Sequence, residues 1–302
     1  MAVDFKSLKK RSGNNFADLQ KELEKDAKKD FTDDRFWYPK ADKSGNAYAV
    51  IRFLPAPPEE DLPWAKVYSH GFQEKGGWFI ENCPTTLGKN CPVCEANSEL
   101  WNSGLESNKN IARNRKRKLA YYSNILIVKD PENPENEGQV RLFRYGVKIK
   151  EKIDRAMKPE FPDEVAFNPF DLWEGADFKL KIRKVEGYVN YDKSEFDSPS
   201  AVSEDDAFLE SLWNKEFPLT PFVAPDQFKE YAELDTRLDK VLSGSASKKK
   251  AEDEPVSRVT KKQEVKEETT EDESNDVDND VDDSGAEDDT DAMSYFASLA
   301  QD

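Results

Sequence analysis

The chain has 302 residues, 36% of them hydrophobic, enough for one substantial core, but 35% are charged and the formal net charge is −17, so not all of it can be packed. The acidity is local: residues 251–302 hold 19 acidic and 4 basic side chains, net −15, which leaves −2 for residues 1–250. Three cysteines are an odd count, and no secretory signal or apolar run of membrane length opens the chain; neither a disulfide-stapled scaffold nor a membrane partner is expected, and a reducing cytosol is the expected compartment.

In chain order, a basic start carries Lys6, Lys9, Lys10 and Arg11, followed by Ser12-Gly13. Asn14 or Asn15 can then cap a helix in which Phe16, Leu19, Leu23 and Ala27 form one narrow apolar stripe. Residues 47–54 read as a strand stopped by Pro55-Ala-Pro-Pro. Strands at 64–72 and 78–81 flank a turn at Lys75-Gly76-Gly77, and a short helix follows Cys91 and ends near Trp101. After a loop come strands at 121–128 and 139–145, separated by the Pro- and Glu-rich loop 130–138. Ile149, Ile153 and Met157 mark a helix; 178–183 alternates strictly and 187–191 returns beside it as a hairpin. Helices are expected at 205–215 and 225–242. Residues 267–291 contain 14 Asp or Glu and no Lys or Arg, so they cannot offset their ordering entropy and are expected to be disordered. The apolar run Met293-Ser-Tyr-Phe-Ala-Ser-Leu-Ala after them has the character of a docking peptide. The organisation is therefore an arm and helix at 1–30, a core at 31–242 with an insertion at about 64–103, and a tail at 243–302. The fold class is mainly β with added helices (α+β). A small, partly open barrel of the OB type fits the pattern, as do other mixed β folds.

The only histidine, His70, lies within 25 residues of all three cysteines, in the order His70-x12-Cys83-x7-Cys91-x2-Cys94. One imidazole and three thiolates suit tetrahedral zinc, and four protein ligands leave no position for water or substrate, so one structural zinc is expected. Zinc deaminases also use a His with a Cys pair, but their acid/base Glu stands in H-x-E; here the sequence is His70-Gly71-Phe72. No nucleotide-hydrolysis loop of the G-x-x-x-x-G-K-[ST] kind occurs either, and no enzymatic role is expected.

The densest basic cluster, Arg113-Asn-Arg115-Lys116-Arg117-Lys118, runs into Leu119-Ala-Tyr121-Tyr122. Cations beside aromatics are what a single strand requires, since charge follows the phosphates and rings offer a face to unpaired bases. Period-two alternation sets Arg141, Phe143 and Tyr145 on one strand face, and sets Lys179, Lys181 and Arg183 away from Phe178, Leu180 and Ile182. The acidic tail, tethered near such a surface, would compete with nucleic acid for it.

The runs Ala49-Val-Ile-Arg52-Phe-Leu-Pro55, His70-Gly-Phe72, Cys91-Pro-Val-Cys94, Asn124-Ile-Leu-Ile-Val-Lys-Asp-Pro131, Pro134-Glu-Asn-Glu-Gly138, Trp173-Glu-Gly-Ala176 and Asn190-Tyr-Asp192 resemble the gene-32-type single-stranded DNA-binding (helix-destabilising) proteins of T-even-like bacteriophages. The resemblance spans almost the whole chain. It implies a zinc-containing OB-fold core that coats single strands with little sequence preference during phage DNA replication, recombination and repair, in the cytoplasm of the infected bacterial host. It implies a basic arm for self-association along the strand, carried here by Lys9, Lys10, Arg11 and Ser12, although the basic triplet stands further from the start than the family's and is followed by Ser-Gly instead of Ser-Thr. It implies an acidic tail that recruits the phage polymerase, the primase-helicase loader and recombination proteins. Carried onto matching positions, the metal ligands are His70, Cys83, Cys91 and Cys94. The strand contacts are Arg52, Trp101, Lys116, Arg117, Lys118, Tyr121, Tyr122, Phe143, Tyr145, Tyr188 and Tyr191. The alternative is a single-stranded RNA-binding translational regulator, with its own messenger among the targets.

Overall fold

The computed structural model describes residues 33–244; the expected arm with Lys9, Lys10, Arg11 and Ser12, the helix expected after it, and the acidic tail from residue 245 onward lie outside them. Eight strands are formed: β1 (Ala47–Phe53), β2 (Ala65–Glu74), β3 (Gly77–Asn82), β4 (Lys118–Lys129), β5 (Val140–Tyr145), β6 (Phe178–Val185), β7 (Tyr188–Asn190) and β8 (Glu195–Phe196). Five α-helices accompany them: α1 (Pro92–Asn102), α2 (Glu106–Asn114), α3 (Val147–Met157), α4 (Asp206–Trp213) and α5 (Tyr231–Ser243). The strands pair antiparallel in the order β3-β2-β4-β1-β6-β7, with β5 on β4 and β8 on β6, which is the α+β class with a dominant sheet.

β4 is the hub. β5 runs along one of its edges, while β2 and β1 lie end to end along the other, with Lys66 opposite Tyr121 and Phe53 opposite Ile125. The proline-rich segment after Leu54 supplies the break between β1 and β2, because proline has no N–H to continue the ladder. Alternation sorts the side chains into two buried faces. On one face, Ile51 and Phe53 of β1, Ile125 and Ile127 of β4, Phe143 and Tyr145 of β5 and Phe178 and Leu180 of β6 form the main core under Ile149 and Ile153 of α3. On the other, Leu54, Leu126 and Val140 pack beneath Leu209 and Leu212 of α4. Covered on both sides, the centre of β4 reads as the continuous apolar run Ile125-Leu126-Ile127 instead of alternating.

A further cluster unites Phe72, Phe79, Cys83, Cys91 and Val93 with Leu234, Leu238 and Val241 of α5. The inserted unit expected at 64–103 is thus closed by a helix from far along the chain. Gly76, in the turn between β2 and β3, is where the two meet. Its N–H donates to the Val241 carbonyl at 2.8 Å, and a Cβ there would lie 2.2 Å from the Lys240 carbonyl oxygen, so only glycine fits.

Two helices differ from expectation. Residues 106–114 are helical, not loop; α2 buries only Ala112, so there is no apolar stripe for periodicity to register. α5 begins at Tyr231 and not at 225, because residues 225–227 form a 3-10 turn and Phe228 is extended (φ −123°) and buried.

Candidate metal centre and nucleic-acid interface

β2 carries His70, Cys83 follows β3, Cys91 caps the N-terminus of α1 and Cys94 stands in its first turn. Their ligand atoms all lie within 4.8 Å of one another. The Nε2 of His70 is 3.5 Å from the sulfurs of Cys91 and Cys94, and the sulfurs of Cys83 and Cys94 are 3.6 Å apart. A tetrahedron with metal–sulfur bonds of about 2.3 Å and metal–nitrogen bonds of about 2.0 Å has edges of roughly 3.5–3.8 Å, so these residues can hold one metal ion; a disulfide would need about 2 Å. The tautomer is suited to the task. A carbonyl oxygen only accepts, so the 3.1 Å contact of Nδ1 with the Arg115 carbonyl requires the proton on Nδ1 and leaves the Nε2 lone pair facing the sulfurs. Burial lowers the His70 pKa, but hydrogen bonds with Cys83 and Cys91 outweigh it and raise the value to about 9. Hydrogen bonds with Cys91 and Cys94 pull the Cys83 thiol down, while those with Cys83 and Cys91 push Cys94 up.

The Arg115 carbonyl also accepts from Asn97 Nδ2 at 2.9 Å, and the Arg115 guanidinium pairs with Glu74 at 2.7 Å, so the basic run is anchored on the metal cluster. From there Arg117 projects over the Tyr68 ring, 4.3 Å from its centroid, with Lys66 5.1 Å from the same ring. Trp101, 45% exposed, receives Arg113 at 5.4 Å and Lys109 at 5.6 Å. Tyr188 is exposed beside the β6–β7 turn and Tyr191 is half-buried against the main core. Tyr68, Lys66 and Lys109 are not among the contacts expected from sequence; the available signal was Lys66-Val-Tyr68 alternating on the strand expected at 64–72, which the structure pairs with residues 118–122.

Other expected contacts fall elsewhere. Arg52 is fully buried: its guanidinium pairs with Asp177 at 3.3 Å and donates to the carbonyls of Asp171 at 3.0 Å and Ser200 at 2.7 Å. It therefore joins β1 to the loop before β6 and offers no donor to solvent. Phe143 and Tyr145, each 3% exposed, are core residues and not stacking platforms, because β5 is covered on both faces; Tyr145 spends its hydroxyl on Ser123 at 3.0 Å. Tyr121 and Tyr122, adjacent on β4, point to opposite faces and cannot line one groove. Tyr121 is buried and stacked on Tyr145, whereas Tyr122 lies flat on Phe222 at 4.5 Å. Arg141 is half-buried and donates to Gln139 and to the Asp34 carbonyl. Lys179, Lys181 and Arg183 face outward as expected, but each pairs with an acid, Asp197, Glu195 and Asp192 respectively, and Arg113 pairs with Glu106. Exposed pairs of this kind contribute little, so a phosphate can replace the carboxylate. Lys116 is exposed and Lys118 half-buried.

The fold and the two sites define a class: an antiparallel β protein with an imidazole–thiolate cluster that could hold a metal ion, fixed against a basic, aromatic surface. Residues 45–242 match the family described as gp32 DNA binding protein like, and the chain belongs to that family. It is 40% identical over 219 residues to the "Single-stranded DNA-binding protein" of Enterobacteria phage T2, covering 70% of each chain. To the protein of the same name from Enterobacteria phage T4 it is 39% identical over 215 residues, 68% of this chain and 69% of the relative. A 71-residue stretch is 45% identical to that of Escherichia phage SV14, 22% of this chain and 63% of the relative.

Proposed function

We propose that the chain is a single-stranded DNA-binding protein that coats and protects unpaired strands during phage replication, recombination and repair. The observation that carries this is family membership across residues 45–242, with relatives at about two-fifths identity that are named for single-stranded DNA. The surface supports it: Arg117 and Lys66 over Tyr68, and Arg113 and Lys109 over Trp101, set phosphate-seeking charge beside faces on which bases can stack. Lys116 and Lys118 extend it along the same basic run, and Tyr188 and Tyr191, at the other end of the sheet, are proposed as further strand contacts. We read the sheet around one aromatic core as an OB-type barrel, and the metal as one structural zinc held by His70, Cys83, Cys91 and Cys94; three sulfurs and a nitrogen, with three of their separations at 3.5–3.6 Å, suit that ion. Zinc supplies cross-linking of β2, β3 and α1 and no reacting group.

Action on DNA is thermodynamic. A protein that binds unpaired strands and not duplex pulls the melting equilibrium toward single strands by mass action. The arm at 1–30 is assigned to self-association along the strand, the unit at 31–242 to binding and the tail at 243–302 to recruitment of the polymerase, primase-helicase loader and recombination proteins. No described helix is long and apolar enough to cross a membrane, and the site of action is the cytoplasm of the infected host. The RNA-regulator alternative is not favoured by relatives named for DNA.

Charge and stacking leave different signatures. Arg117→Ala is expected to weaken single-strand binding and flatten its salt dependence by about 0.7 in logarithmic slope, one phosphate's worth of released counterion. Tyr68→Ala or Trp101→Ala is expected to cost about 1–3 kcal/mol with little change in slope. Unaltered binding in both classes would remove this surface from the function.

A further inference from the structure

Thr85 stands between the metal cluster and the basic run. Its hydroxyl oxygen lies 3.1 Å from the Cys83 sulfur and 3.0 Å from Nη1 of Arg117. A guanidinium has donors only, so the hydroxyl must accept from Arg117; its single hydrogen is then free to point at the sulfur, where a thiolate accepts it. The result is a directed chain from the Arg117 N–H through the Thr85 hydroxyl to the Cys83 sulfur. The same guanidinium lies 4.3 Å from the Tyr68 ring centroid, and the backbone N–H of Tyr68 donates to the hydroxyl of the next residue, Thr86, at 2.9 Å. The turn at 84–87 therefore holds both halves of one cation–aromatic pair while its first residue follows directly on a metal ligand.

We propose that Thr85 is a positioning residue that couples the metal cluster to strand binding. With metal on Cys83 the sulfur is a fixed acceptor, the hydroxyl has one orientation, and Arg117 is held over the Tyr68 ring with its remaining N–H groups available to a phosphate. When the metal leaves, the acceptor is no longer fixed and Arg117 loses its anchor. Because coupling is reciprocal, strand binding must in turn raise the affinity of the cluster for metal by the same factor. This inference rests on Arg117 being a strand contact.

The test uses the full chain, loaded with zinc for binding and with cobalt(II) as a spectroscopic probe. Thr85→Val removes the hydroxyl at nearly constant shape; Thr85→Ala is a second hydroxyl-free variant that needs no added space, and Thr85→Ser restores the group. The expected result is a roughly three- to tenfold weaker affinity of Thr85→Val for a homopolymer single strand, as for one lost hydrogen bond, with recovery in Thr85→Ser. Adding Thr85→Val to Arg117→Ala should cost no further affinity, because the two act as one unit. The cobalt–thiolate charge-transfer band should shift in Thr85→Val, and bound single strand should raise the chelator concentration needed to strip zinc at equilibrium from the unaltered chain but not from the variant. Additive losses, an unshifted band, or a zinc affinity in the unaltered chain that does not depend on bound strand would overturn the coupling. If Arg117→Ala itself leaves strand affinity unchanged, the assignment of the basic run has failed and the coupling falls with it, a result distinct from additivity.

Discussion

Glu216 holds both carboxylate oxygens buried without a hydrogen-bond partner, and burial first, then the charge of Glu60, raises its pKa from 4.5 to about 9. The sign follows from proton counting: between those two values the folded state keeps a proton that the unfolded state has released, so this group's contribution falls as pH rises from about 4.5 to about 9. Glu216→Gln should therefore raise the melting temperature at about pH 8 and change it little at about pH 4, measured by thermal unfolding across that range. An equal effect at both would contradict the protonated assignment. Arg52 illustrates what single residues conceal. In sequence it is a cation between strand hydrophobes, indistinguishable from Arg141 or Arg183; its burial depends on a loop more than a hundred residues away, where Gly175 lets the backbone close over the guanidinium, with a Cβ there lying 3.1 Å from Nη2. Loss of water pulls its pKa down, opposed by the pairing with Asp177.

At the scale of elements, the metal cluster was legible because its ligands span only residues 70–94 and their spacing is itself the signal. The closing helix was not. Leu234, Leu238 and Val241 announce an amphipathic helix, but nothing local says which surface it covers. The strands around the main core were legible from alternation, yet which of their faces met solvent was not, since β4 and β5 are covered on both sides; this is why Phe143 and Tyr145 read as stacking platforms. Because Cys83 and Cys91 belong to the same apolar cluster as α5, removing the metal should loosen that helix together with the β2–β3 hairpin. Chelation or Cys91→Ser is expected to lower the melting temperature and to remove hydrogen-exchange protection there first, while the centre of β4 stays protected. Uniform loss across all strands would show that the insertion is not a separate unit, and no loss would show that the cluster does not bind metal.

At the scale of the whole molecule, charge is divided between a nearly neutral body and a tail of net −15 in residues 251–302. A tethered polyanion competes with DNA at an effective concentration set by its linker and is screened by salt. Deleting residues 245–302 should tighten single-strand binding, most at low ionic strength, and abolish recruitment of other replication proteins; equal affinity at every salt concentration would reject the competitor role. The central claim, preference for unpaired strands, is tested most directly by titrating the full chain with a homopolymer single strand and with the matching duplex at several salt concentrations. The expected result is tight, steeply salt-dependent binding to the single strand, much weaker binding to the duplex and a lowered duplex melting temperature. Equal affinity for the two forms, with duplex melting unchanged, would contradict it.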